Sequence, residues 1–165
     1  MLIFQILFAT KVKQMGLYSK LKDIKILLVD DDEWIRDSLS LFFEAEGRHL
    51  LAVETAEEGM EALKKQSYDI IISDYRLPGM DGLAFFKLVE ESHPDAIMIL
   101  VTAYGNIDIA SEAIRIGIHD LIQKPFTAET IEKSLWRLIE KRKKESGHLG
   151  TKGIKPTEID EVKLC

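Results

Sequence analysis

The stretch Lys25–Phe43, KILLVDDDEWIRDSLSLFF, decides the fold. Residues Lys25–Val29 form a near-continuous apolar run, which marks a strand covered on both faces, as in parallel sheets. Three aspartates, Asp30, Asp31 and Asp32, follow at once. Beyond them Ile35, Leu39, Phe42 and Phe43 recur at helical spacing, and Gly47 stands where a helix ends on a glycine. The unit is a buried strand, an acidic turn and an amphipathic helix.

The same unit repeats outward along the chain. Asp69–Ser73 (DIIIS), Ala96–Val101 (AIMILV) and Asp120–Gln123 (DLIQ) read as short buried strands, and Leu50–Val53 as a weaker one. Between them lie stripes of helical period. Gly59 and Leu63 belong to a second, weaker helix. Leu83, Phe86 and Val89 line a third behind an Asp81 cap. Ile107, Ala110 and Ile114 line a fourth, ended by Gly117. Ile131, Leu135, Leu138 and Ile139 line a fifth, with Thr127 as its cap. Five strand–helix pairs in succession predict an α/β fold, a doubly wound parallel sheet with right-handed crossovers and helices on both faces. Ligands of such sheets bind beyond the carboxyl ends of the strands, at the switch point of strand order.

Composition agrees. The chain has 165 residues, 46% hydrophobic and 30% charged, enough to bury a core and far from disordered or collagen-like classes. The single cysteine, Cys165, excludes an internal disulfide framework and a cysteine-based zinc site, and fits a reducing, cytoplasmic setting. A formal charge of −6 argues against direct nucleic-acid binding by this chain. His49, His93, His119 and His148 fall on unrelated elements without ligand spacing. Neither Gly-x-Gly-x-x-Gly nor a Walker-type glycine loop is present, so dinucleotide and nucleotide binding lose their main support.

The ends read differently. In residues 1–22 the run Leu2 to Ala9 is apolar except for Gln5, too short for a membrane span. No cationic stretch precedes it and no small-residue cleavage site follows, so a secretion signal or peripheral anchor has weak support beside an accessory extension packed on the domain or a translation start at Met15. At the other end Arg137, Lys141, Arg142, Lys143 and Lys144 cluster on the last turns of a helix, where cations are favoured. Ser146–Gly147 breaks the pattern, and residues 145–165 read as a tail or linker stub after a domain of residues 23–144.

What stands on the strand ends carries the functional expectation. Strand 1 runs into Asp30, Asp31 and Asp32, strand 3 into Ser73 and Asp74, strand 4 into Thr102 and Ala103, and strand 5 into Lys124 and Pro125. Each feature alone has an ordinary explanation: a helix cap, a loop, a surface turn. Together they gather several carboxylates, a hydroxyl and an ammonium on one rim. Two carboxylates about 4 Å apart repel by roughly 4 kcal/mol at an effective dielectric near 20. Such a cluster persists by raised pKa values, by pairing with Lys124, or by binding a hard cation; Mg²⁺ suits best because it leaves positions for water and a phosphoryl group.

LLVDDDEWIR, IISDYRLPGMDG, LVTAYG and QKPF resemble the receiver domain of two-component response regulators, and the tract from Thr102 to Phe126 is most similar to receivers of the nitrogen-regulation type. The resemblance implies a flavodoxin-like sheet of order 2-1-3-4-5 and a phosphorelay role. It implies that Asp74 accepts a phosphoryl group from a phosphohistidine of a sensor histidine kinase or phosphotransfer protein. It further implies Mg²⁺ held by Asp30, Asp31, Asp74 and the backbone carbonyl of Arg76. Counting back from Ile35–Arg36 makes Asp32 the extra member of the triple aspartate. Thr102 and Lys124 match the residues that meet the phosphoryl group, and the Lys124–Pro125 peptide is expected to be cis. Arg76 and Tyr104, both large, occupy the two places from which the family tunes water access, so a long-lived phosphorylated state is expected. An output domain or a second copy would receive the signal. One departure stands out: Leu121 replaces the family's usual aromatic switch. A dehalogenase-type phosphatase, which also uses a strand-end aspartate, needs an acid where Arg76 stands. A receiver-like module that only binds would not need Asp30, Asp31, Asp74, Thr102 and Lys124 together.

Overall fold

The computed structural model describes residues 23–147. Five strands, β1 (Lys25–Val29), β2 (His49–Val53), β3 (Ile70–Asp74), β4 (Ile97–Thr102) and β5 (Asp120–Gln123), alternate with five helices. The helices are α1 (Glu33–Ala45), α2 (Ala56–Lys65), α3 (Gly82–Ser92), α4 (Ile107–Ile116) and α5 (Ala128–Gly147). All strand pairs are parallel and the order is β2-β1-β3-β4-β5. The alternation read from the sequence is therefore the architecture observed. The switch of strand order falls between β1 and β3 and places their carboxyl ends side by side, with Val29 opposite Ser73.

Strand residues alternate between two apolar layers. Leu27, Val29, Ile71, Met98 and Leu100 face one side, where Phe85, Phe86 and Val89 of α3 and Ile109 of α4 cover them. Ile26, Leu28, Ile70, Ile72 and Ile99 face the other, under Leu39 and Phe43 of α1 and Ile131 and Leu135 of α5. Coverage on both sides is why these strands read as continuous apolar runs. β2 is an edge strand with Leu51 exposed, and its signal in the sequence is correspondingly weaker.

Helix starts follow local chemistry. The Asp32 side chain accepts from Trp34 N, that of Asp81 from Ala84 N and that of Asn106 from Ile109 N. Thr55 and Glu58 form a reciprocal capping box before α2. Thr127 Oγ1 accepts from Thr130 N ahead of α5. Gly117 closes α4 at φ 88°, a left-handed conformation that disfavours other residues. Several boundaries shift by a residue from the expectation: β2 begins at His49, β3 begins at Ile70 and β4 spans Ile97–Thr102. β3 runs one residue further, so Asp74 is the last residue of the strand itself and bonds within the ladder opposite Val101. α5 is helical through Ser146 to Gly147, the last described residue, because one glycine costs only about 1 kcal/mol against an established helix. The expected extension and most of the expected tail lie outside the described residues.

Arg48, in the α1–β2 connection, is buried against α5. Its guanidinium lies 5.7 Å from the Phe43 ring and 5.5 Å from the Trp136 ring, and pairs with Glu132 at 3.0 Å. The Glu132 partner is itself largely covered, so loss of the cation leaves a carboxylate stranded. Arg48→Ala is expected to lower the unfolding free energy by about 3 kcal/mol. Arg48→Lys is expected to fall between, since an ammonium pairs but does not stack. Urea unfolding of the three proteins checks both.

Candidate functional site

Asp30 and Asp74 are both buried where β1 and β3 end. Each would repel the other across the switch point, and Lys124, reaching in from the end of β5, bridges them. Its Nζ lies 3.1 Å from Asp30 Oδ2 and 3.2 Å from Asp74 Oδ2. The Lys124–Pro125 peptide is cis, as expected. Asp31 is exposed at the mouth, and one carboxylate oxygen each from Asp30, Asp31 and Asp74 lies within 4.8 Å of the others.

The carboxylates are held by more than the ammonium. Asp30 Oδ1 accepts from Asp32 N at 2.9 Å, and Arg36 Nη1 donates to the Asp30 carbonyl at 2.8 Å. The Asp74 carbonyl accepts from Ser73 Oγ at 3.0 Å, and a Cβ on Gly82 would come within 2.2 Å of the same oxygen. Only glycine therefore lets α3 begin this close to Asp74. Gly82 N donates to Tyr75 O at 2.9 Å and completes the turn.

Electrostatics at the site are set by burial. Burial raises the pKa of Asp74, the Asp30 charge raises it further, and Lys124 offsets only part of both. Burial likewise raises Asp30, against the Asp32 amide and Lys124. Burial works against the charge of Lys124, yet Asp30 and Asp74 together outweigh it and leave its pKa raised. Three carboxylates face one ammonium, and the site keeps an unmet demand for positive charge.

The third wall comes from β4. Thr102 is fully buried and its Oγ1 accepts from Tyr104 N at 3.0 Å. Lys124 N donates to Thr102 O at 2.8 Å, which sets β5 beside β4 at this end. Arg76, two residues past Asp74, is exposed and lies flat on Tyr104, with 4.4 Å from its guanidinium carbon to the ring centroid and 3.4 Å from Nη1 to the hydroxyl. No acid stands where a phosphatase of the dehalogenase type needs one. Leu121 packs with the apolar layer on the α3–α4 side.

All the expected side chains thus come from the one rim. Residues missed in the sequence are those acting through the backbone: Arg36 on the Asp30 carbonyl, Ser73 on the Asp74 carbonyl, and Gly82. For Arg36 and Gly82 a signal was present, an arginine in the first turns after the aspartates and a glycine right after a cap.

Comparison with known proteins agrees with this geometry. The sequence matches the family model of the response regulator receiver domain over residues 26–135. The chain belongs to that family, the receiver domains of two-component signalling. It is 40% identical over 118 residues to the C4-dicarboxylate transport transcriptional regulatory protein DctD of Rhizobium meliloti, covering 72% of this chain and 26% of that protein. It is 38% identical over 101 residues to the DNA-binding transcriptional regulator NtrC of Escherichia coli, covering 61% of this chain and 22% of that protein. The chain thus spans about a quarter of the length of the curated relatives it matches. Among solved structures, NtrX from Brucella abortus superimposes with a TM-score of 0.68 at 31% identity, over 79% of this chain and 31% of that one. The chemotaxis response regulator CheY4 of Vibrio cholerae does so with 0.65 at 28% identity, over 69% of this chain and 97% of that one. Among the described residues no helix is long and apolar enough to cross a membrane.

Two opposite shifts in stability follow from the bridge. Lys124→Met leaves two buried carboxylates without their cation and is expected to cost about 1–3 kcal/mol, less than a fully dry pair because the ammonium is partly open to water. Asp74→Asn removes one of the repelling charges. Folding raises the pKa of that carboxyl, so its ionised form opposes the fold above the folded pKa, and the amide is expected to stabilise the metal-free protein at neutral pH. About 1 kcal/mol corresponds to a rise of about 2–4 °C in Tm for a chain of this size. Thermal unfolding in chelator reads both.

Proposed function

We propose that Asp74 is the acceptor of a phosphoryl group delivered from a phosphohistidine of a sensor histidine kinase or phosphotransfer protein, and that the acylphosphate switches a partner surface, an output domain or a second copy. The observation that carries this reading is the Lys124 ammonium within 3.2 Å of a strand-end carboxylate, ready to meet the oxygens of an incoming phosphoryl group. A carboxylate oxygen of Asp74 attacks phosphorus, the P–N bond of the donor breaks, and the imidazole takes up a proton. The domain catalyses only its own phosphorylation and dephosphorylation, as a switch and not a turnover enzyme. The unit acting in this way is residues 23–144, flanked by residues 1–22 and 145–165, and the setting is cytoplasmic.

The donor set suits Mg²⁺: three hard carboxylates, two of them buried, with only the Lys124 ammonium set against them. Asp31 and Asp74, with the backbone carbonyl of Arg76, would hold the ion directly, and Asp30 would act through water. When bound, Mg²⁺ supplies positive charge to the phosphoryl oxygens. Lys124 then holds an oxygen on its own side, and the Thr102 hydroxyl exchanges the Tyr104 amide for the phosphoryl group.

Incubation with Mg²⁺ and acetyl phosphate is expected to add one acid-labile phosphoryl group, which is absent in Asp74→Asn and absent with chelator; full labelling of that variant would overturn the assignment. The stack of Arg76 on Tyr104 stands beside the path of a hydrolytic water. An exposed contact of this kind is worth about 0.5–1 kcal/mol, or about 2–5-fold in rate. Arg76→Asn is therefore expected to shorten the lifetime of the phosphorylated form by that factor, read from dephosphorylation of the two purified proteins.

A further inference from the structure

Beside the carboxylate site lies a second, apolar cleft of about 480 Å³, between the first turns of α1 and the β5–α5 connection. Trp34, Ile35, Ser38, Ala103, Pro125 and Phe126 line it, and Lys124 lies at its inner end. Trp34 is 83% exposed, the largest side chain α1 carries and one that nothing among the described residues covers. Its exposure has no role in the chemistry above. A cleft of this size takes the side chains of one short segment.

The chain itself carries such a segment. Leu2-Ile3-Phe4-Gln5-Ile6-Leu7-Phe8 offers six large apolar side chains, and Lys11 and Lys13 follow. The cleft is edged by the opposite charge, with Asp31, Asp32 and Glu33 all exposed at the start of α1. Reach is sufficient. Asp23 sits below the first residue of β1 and the cleft lies beyond its last, a climb of about 17 Å for five residues. Residues 9–22 extend to at most about 46–50 Å. A tether of this length also keeps the segment at high effective concentration, which favours it over a second copy.

We propose that Leu2–Phe8 of this chain docks in the cleft between α1 and the β5–α5 connection, covers Trp34, and is steered there by Lys11 and Lys13 against the acidic edge.

The test uses the full chain labelled with 5-fluorotryptophan, unphosphorylated and without Mg²⁺, so that its failure is separate from failure of the phosphorylation reading. The chain has two tryptophans, and Trp34→Phe identifies the resonance of Trp34 by its loss. Docking predicts a Trp34 resonance insensitive to exchange of H₂O for D₂O. The double variant Phe4→Asp/Leu7→Asp is expected to restore that sensitivity, and so is Ser38→Arg, which fills the cleft from an exposed position. The Trp136 resonance is expected to stay in place throughout. A Trp34 resonance that is solvent-sensitive in the unmodified chain, or unchanged by both sets of substitutions, overturns the proposal. Protection that grows with protein concentration overturns it in favour of a second copy, and protection that appears only on adding a separately purified kinase overturns it in favour of that partner.

Discussion

The bridge from Lys124 to Asp30 and Asp74 is the constraint on which the rest of this domain depends. Two carboxylates buried at neighbouring strand ends repel each other, and a cation brought to them relieves that repulsion. That cation comes from the end of β5, two strands away from β3, with β4 between, so the three strands have to end level for it to reach. The register does this: Asp74 pairs with Val101, and Thr102 with Gln123, one residue before the lysine. The parallel sheet, its order and its length are in this sense requirements of one triangle of charge.

The two helical layers serve that triangle unequally. On one face α1 and α5 are joined through Arg48, clamped between Phe43 and Trp136, and α1 also sends Arg36 to the backbone of Asp30. That face holds the acidic turn in place. On the other face α4 starts from an Asn106 cap, is tied to α3 by the Lys87–Glu112 pair at 2.8 Å, and leaves Ile107 and Ile114 uncovered.

Most of this was legible in the residues. The strands covered on both faces declare themselves as apolar runs, and the rim residues stand directly at their ends, so Asp30, Asp31, Asp74, Thr102 and Lys124 could be placed on one edge before any coordinates. What could not be read is what acts through the main chain. The approach of Gly82 to the Asp74 carbonyl is a matter of a distance between backbones, and a glycine after a capping aspartate has several meanings in a sequence. The Arg48 clamp joins residues 84 and more positions apart in the chain through ring faces, and no local periodicity marks it. The weak signal of β2 has a plain cause, since an edge strand has fewer neighbours to dictate its composition.

Gly82 divides the rim into a part with no slack and a part with some. The Asp74 peptide is wedged between Ser73 Oγ and the backbone at the start of α3, so β3 and that helix are locked together here. Across the pocket, Thr102 is tied to its loop by a single amide from Tyr104, and a Cβ on Gly105 would touch nothing nearer than the Gln123 side chain at 3.5 Å. Room for adjustment at the rim therefore lies on the β4 side. The rim is built like a vice, with its fixed jaw at the end of β3 and its looser jaw in the loop that leads into α4.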